Sequence, residues 1–299
     1  MKHIKLIFST VLLLLFALGG KAQTQQDSLT IAHAQWQTDT LAHGAVCLSA
    51  NLQLFDSPQQ IAIIKYDARK YKTRIVQAPH IAMTSDLARK SGAEVAVNGG
   101  YFNVKTGLPS TFVQLEGKVY GETAPAEVFR TNGAITTDRN RIEIHPFDSI
   151  SAIKLKKRYK NILTAGPLLL KDGVRQMAPT FEANDNQAAK GGNSFSSDVP
   201  QGFYKRHPRA FIGITKDHQV MMVVVDGRFK GKAAGMSIDE LSYLAKQLGL
   251  TDALNLDGGG SASLWNNHTG IINHPYDNKK FDHEGEREVV NAIVALPNR

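Results

Sequence analysis

The sequence predicts an α+β fold, a mixed β-sheet system with a few helices that includes a βαβ unit around residues 220–257. Three observations carry this expectation. Short apolar, β-branched segments recur along the chain, and most end in Gly, Asn or Asp. Few stretches show helical periodicity, and one of them is signalled at both ends. That helix falls between two apolar runs, as a crossover between parallel strands requires.

At the N-terminus, Lys2 and Lys5 precede an apolar run, Leu6 to Leu18, broken only by Ser9 and Thr10. Gly20-Lys21-Ala22 then places small residues for cleavage before Gln23, so 1–22 reads as a signal peptide. The run is short for a bilayer span, and no later segment is long and apolar enough for one, so no stable membrane insertion is expected after cleavage. The expected location is periplasmic or secreted. Cys47 is the only cysteine, which leaves the fold to its core without an internal disulfide. Loss of Lys2, Lys5 and Lys21 takes the formal charge from +8 to +5. That mild excess suits an anionic ligand, while the scattered basic residues argue against a nucleic-acid partner.

Residues 23–58 are polar and mixed and read as an N-terminal extension, with the catalytic domain at 59–299. Strands begin with Ile61-Ala62-Ile63-Ile64, Thr73-Arg74-Ile75-Val76 and Glu94-Val95-Ala96-Val97. Between the last two, Ser85 to Lys90 reads as a short capped helix closed by Gly92. Further strands are expected at 111–115, 133–136, 141–145, 210–215 and 220–226; Thr164 to Leu170 reads as a turn entering an apolar strand, and Lys171-Asp172-Gly173 as a plain turn. The polar, Gly/Ser-rich stretch 182–202 reads as a long surface loop or a lid. Ser237-Ile238-Asp239-Glu240 is a capping box, followed by Leu241, Leu244, Ala245 and Leu248 at helical spacing before Gly249.

If strands 220–226 and 253–257 run parallel, their carboxyl ends share an edge, where ligands of such units sit. One ends in Asp226-Gly227-Arg228 and the other in Asp257-Gly258-Gly259-Gly260; a third strand ends in Asn98-Gly99-Gly100. An Asp before Gly is ordinary turn chemistry on its own. Three such ends in one chain point to a common site. A triple glycine exceeds what a turn needs and allows a ligand close to peptide N–H groups. DGGGSAS lacks the Lys-Ser/Thr ending of a P-loop and the spacing of a dinucleotide fingerprint, and there is no Gly-x-Ser-x-Gly elbow. The His and Asp residues of 274–284 match no zinc spacing, so neither metal nor cofactor is expected.

These segments resemble the phosphodiester glycosidase family, an animal member of which removes N-acetylglucosamine from a sugar phosphodiester. The matching pieces are Thr84-Ser85, AVNGGYFN (96–103), TAGPLLL (164–170), PRAFIGI (208–214), VVVDGR (223–228), GMSIDEL (235–241), NLDGGGSAS (255–263), NHP (273–275) and GEREVVNAI (285–293). Departures are His274 where arginine is usual, Ala210 where threonine is common, and 182–202 as an insertion. The resemblance implies hydrolysis of a sugar C1–O bond with a phosphate ester as leaving group and a carbohydrate phosphodiester as partner. On that reading Asp257 faces the sugar carbon, and Asp226 is a second carboxylate that orients hydroxyls or activates water. Arg209 and Arg228 clamp phosphate, while Gly258, Gly259, Gly260 and Ser261 hold its oxygens or those of the sugar. Asn98, Gly99, Gly100 and Asn255 are read as ligand-binding or orienting. Two alternatives stay open: a non-catalytic sugar-phosphate or polysaccharide-binding envelope protein, and a metal-dependent phosphodiesterase.

Overall fold

The apolar runs become strands of three main sheets, all paired antiparallel. The computed structural model describes residues 25–138, 141–176 and 199–298, so the signal segment and most of 182–202 lie outside the described residues. The largest sheet has eight strands, in the order Gln37–Thr40, Val46–Leu54, Ser57–Asp67, Gln219–Val225, Arg209–Ile214, Asp252–Asn255, Leu168–Lys171 and Val174–Arg175. A five-stranded sheet runs Gly270–Ile271, Leu264–Asn266, Val95–Asn98, Glu288–Pro297 and Tyr71–Met83. The other five-stranded sheet runs Glu143–Pro146, Gly133–Thr136, Ile162–Ala165, Val113–Leu115 and Lys118–Gly121.

The central strands of the eight-stranded sheet are buried on both faces, which explains their nearly unbroken apolar sequences. Ala210, Ile212, Met222 and Val224 point into a central core shared by all three sheets. Phe211, Val223 and Val225 point the other way, against the helix Ile238–Gln247. Full burial of a side chain such as Phe211 contributes roughly 1.5–3 kcal/mol. The helix Thr84–Ser91 covers the outer face of the second sheet through Leu87 and Ala88. Among the described residues, no helix is long and apolar enough to cross a membrane.

Strands Gln219–Val225 and Asp252–Asn255 are parallel, as expected, but not neighbours. Arg209–Ile214 lies between them, antiparallel to both, pairing Arg209 with Val225 and Phe211 with Asn255. The start of one strand thus joins the ends of two others at a single edge. The Ser237 capping box forms as read: Ser237 Oγ accepts the Glu240 N–H at 3.2 Å and Glu240 accepts the Ser237 N–H at 2.9 Å. At the helix Thr84–Ser91 the closing Gly92 is left-handed as read, yet Ser85 is no cap. Its N–H and hydroxyl donate to Glu286 instead, at 2.8 and 2.7 Å, so a distant carboxylate caps this helix.

Residues 37–54 lie in the segment read as polar and mixed, and they supply two strands of the main sheet. Here the buried positions, Cys47, Ala50, Leu52 and Leu54, are interspersed with polar ones, as suits a strand near the sheet edge.

Candidate active site

Two turns from different sheets are bonded together at this edge. The Asp257 N–H donates to the Gly99 carbonyl at 3.0 Å, and Asn98 Nδ2 donates to the Asp257 carbonyl at 2.7 Å. Asn98 Oδ1 accepts the Ser263 N–H at 3.1 Å, closing the connection. The Gly99 and Gly100 N–H groups both donate to Asn291, at 2.9 Å each. A Cβ on Gly99 would stand 2.0 Å from Asn291 Oδ1, so only glycine fits there.

The three glycines after Asp257 answer three separate contacts. Gly258 lies where a Cβ would be 2.6 Å from the Pro208 carbonyl oxygen. Gly259 adopts φ of +61° and donates its N–H to that same oxygen at 2.9 Å. Gly260 lies under the Arg287 guanidinium, whose Nη2 would be 2.5 Å from an added Cβ. The run therefore packs strand, turn and arginine at close range, and the Gly259 N–H is already committed within the protein.

Around this turn stands a set of cations facing one half-buried carboxyl. Burial pushes the Asp257 carboxyl up to about 6, against the pull of Ser261, Arg130, Arg287 and the Gly258 N–H. Ser261 Oγ is itself buried, beside this carboxyl. The Arg130 guanidinium lies 3.8 Å above the Tyr101 ring and pairs with Glu127. Arg287 pairs with Asp277. Arg228 is exposed and holds a left-handed backbone at φ +67°, an unusual conformation for a side-chain-bearing residue. Its guanidinium reaches His207 Nδ1 at 3.3 Å, lies 5.3 Å from the Tyr276 ring and borders Gly259. Burial, then the cations Arg209, Arg228 and Lys205, hold His207 down at about 4, so near neutral pH it accepts from Arg228 rather than repelling it.

Several expected ligand-facing groups point elsewhere. Asp226 is 1% exposed, and its carboxylate accepts from Asn273 Nδ2 at 3.0 Å, the His274 N–H at 3.0 Å and His274 Nδ1 at 2.8 Å. Burial pushes this carboxyl up, and those donors pull it back. It is enclosed rather than open to a sugar. Arg209 is also buried; its Nε donates to the Met236 carbonyl at 2.8 Å, and Nη2 donates to those of Gly202 and Lys205 at 2.7 and 3.1 Å. Burial brings its guanidinium down to about 10. Asn255 Nδ2 donates to Tyr101 Oη, Gly166 O and Leu256 O at 3.0, 2.8 and 2.9 Å, holding the floor of the site. Asp257, Ser261, Arg228 and the glycine turn do come together as read.

Arg130, Arg287, Tyr101 and His207 were not singled out in the sequence. Tyr101 and Arg287 sit inside matched segments, NGGYFN and GEREVV, where their position beside glycines was available as a signal. Arg130 sits at the end of a short 3-10 turn, Pro125–Arg130, with no motif around it. Among the described residues no cluster of three His, Cys, Asp or Glu groups is placed to hold a metal.

A family model described as phosphodiester glycosidase matches residues 91–296, which include Asn98, Arg130, Asp226, Asp257 and Arg287. The chain belongs to the phosphodiester glycosidase family. Its similarity to individual members is distant. Mouse N-acetylglucosamine-1-phosphodiester alpha-N-acetylglucosaminidase is 24% identical over 205 residues, covering 66% of this chain and 36% of that relative. The chain thus spans about a third of the length of the curated relative it matches. In the solved structure of the zebrafish enzyme's catalytic domain, auto-inhibited by its pro-peptide, the fold is similar at a TM-score of 0.59 and 17% identity. That match covers 88% of this chain and 82% of the zebrafish one. A hypothetical protein from Synechocystis has a TM-score of 0.60 at 16% identity, over 88% of this chain and 64% of its own. These structural likenesses speak to the fold of the phosphodiester glycosidase domain.

Proposed function

We propose that this protein is an exported hydrolase that cleaves the C1–O bond of a sugar-1-phosphodiester carrying an N-acetylglucosamine-like sugar. The observation that carries the reading is a single half-buried carboxyl, Asp257, held near Arg130 and Arg287 at a glycine-tight edge. Export rests on the signal segment at 1–22.

The chemistry matches the residue types. Cleavage at C1 passes through a state with positive charge on the sugar ring, which a carboxylate beside C1 stabilises or attacks. With its carboxyl at about 6, Asp257 is mostly ionised at neutral pH and can do either. The leaving group is a phosphate monoester, a weakly basic anion that departs without needing a proton. It needs its negative charge held, and Arg228 and Arg287 flank the turn for that purpose, with Arg130 beside Asp257.

Asp226 and Arg209 act as positioning residues on this reading. Asp226 fixes Asn273 and His274; Asn273 also donates to the Ala262 carbonyl at 3.1 Å and accepts the Leu264 N–H at 2.8 Å, so the pair supports the far end of the catalytic turn. Arg209 ties the Gly202 and Lys205 carbonyls to the same edge.

Incubation of the mature protein with an N-acetylglucosamine α-1-phosphodiester in oxygen-18 water tests the proposal. Label on the sugar C1 hydroxyl supports C–O cleavage. Label on phosphate would overturn it in favour of a phosphodiesterase, and binding without turnover would favour a sugar-phosphate-binding protein.

A further inference from the structure

Beside the cationic site lies an open groove of about 490 Å³ whose two walls differ in chemistry. One wall is hydrocarbon: Ile81, Met83, Phe102 and Val104. Ile81 and Met83 end the edge strand Tyr71–Met83, while Phe102 and Val104 directly follow the Asn98-Gly99-Gly100 turn that holds Asp257. Met83 and Val104 are 41% and 63% exposed, so large apolar surface faces water here. The rest of the lining is Arg287 with the carboxylates Asp277, Glu286 and Glu288.

Arg287 belongs to both places. Its guanidinium sits over Gly260 and acts on the Asp257 carboxyl, and the same side chain lines the groove. A phosphodiester has two arms. If one arm presents its sugar carbon to Asp257 and Arg287 holds the phosphate, the second arm leaves on the groove side.

We infer that this second arm is apolar, an alkyl or aryl alcohol rather than another sugar, and that it lies along the Phe102 wall. The inference rests on the glycosidase reading and names the leaving-group class of that site. Of the polar groups of the groove, Asp277 pairs with Arg287 and both Glu286 oxygens accept from Ser85, while Glu288 is exposed to solvent. A sugar there would turn hydroxyls toward four hydrocarbon side chains without partners, which is unfavourable. A second phosphate would meet Glu286 and Glu288. An alkyl chain instead removes both its own surface and that of Met83 and Val104 from water.

Steady-state kinetics on three N-acetylglucosamine α-1-phosphodiesters decide the matter: methyl, octyl (below its micelle concentration) and the 6-linked ester of methyl mannoside. The octyl ester is expected to exceed the methyl ester in kcat/KM by about tenfold. The gain should come through KM, because groove contact is equal in ground and transition states. The mannoside should gain nothing over methyl. Val104→Asp, a change at a 63% exposed position, should bring the octyl-to-methyl ratio to about one. Equal constants for octyl and methyl, or preference for the mannoside, would overturn the inference while leaving the glycosidase reading intact. No turnover of any ester would overturn both.

Discussion

Replacing Asp257 with Asn should abolish turnover and, at the same time, make the folded protein more stable. The carboxyl is pushed from its ordinary 3.8 up to about 6 because burial penalises its charged form more than Ser261, Arg130 and Arg287 favour it. A displacement of that size corresponds to about 3 kcal/mol of folding free energy, at roughly 1.36 kcal/mol per tenfold change in acidity. Since the group keeps partial contact with solvent, about 2 kcal/mol is the expected gain. The sign follows from proton uptake. Between 3.8 and about 6 the folded state binds more protons than the unfolded one, so wild-type stability from this group is fully present below 3.8 and is lost as pH rises through about 6. The amide variant has no such group, so its advantage should be largest above pH 7 and vanish near pH 3.8. Urea denaturation of both proteins at pH 7.5 and pH 4, read as a midpoint shift with unchanged slope, measures it. A variant no more stable than wild type at pH 7.5 would refute the claim that this carboxylate is held at a cost to the fold.

Three further outcomes can be checked alongside. The acid limb of kcat/KM should fall near pH 6 as Asp257 is protonated, and Arg287→Met should move that limb upward by removing a cation that favours the carboxylate. His274→Ala should leave the buried Asp226 carboxylate short of a donor and lower stability by about 1–3 kcal/mol in denaturant titration, whereas His274→Asn, whose amide can occupy the place of Nδ1, should recover most of it. Gly99→Ala puts a methyl group 2.9 Å from the Asn291 carbonyl oxygen; a melting-temperature drop corresponding to about 1–3 kcal/mol is expected, with loss of activity, as the two turns separate.

Much of the architecture was legible because local chemistry agreed with the global fold. The Ser237–Glu240 box, the Gly92 stop and the glycines after Asn98, Asp226 and Asp257 are each set by a few neighbouring residues, and each marks the element or strand end that forms. The parallel direction expected for strands Gln219–Val225 and Asp252–Asn255 holds and puts their carboxyl ends on one edge, although the intervening Arg209–Ile214 strand changes who touches whom. What sequence could not show is direction. Asp226 and Asp257 share the same Asp-Gly grammar, yet one carboxylate turns inward to Asn273 and His274 while the other faces the arginines. That difference depends on residues 47 positions away in the chain. Arg130 likewise lies over the Tyr101 ring, a contact no local pattern encodes.

The strand Glu288–Pro297 lies inside its sheet, hydrogen-bonded to Tyr71–Met83 on one side and Val95–Asn98 on the other. Because a ribosome delivers residues in order, those two earlier strands must wait with a gap between them until this one arrives. Asn291, which holds Gly99 and Gly100, comes with it. The edge that carries Asp257 therefore cannot be completed before residues 288–297 have been made. A premature stop before residue 288 would leave an open seam between Tyr71–Met83 and Val95–Asn98, with unpaired strand edges that chaperones and proteases can recognise.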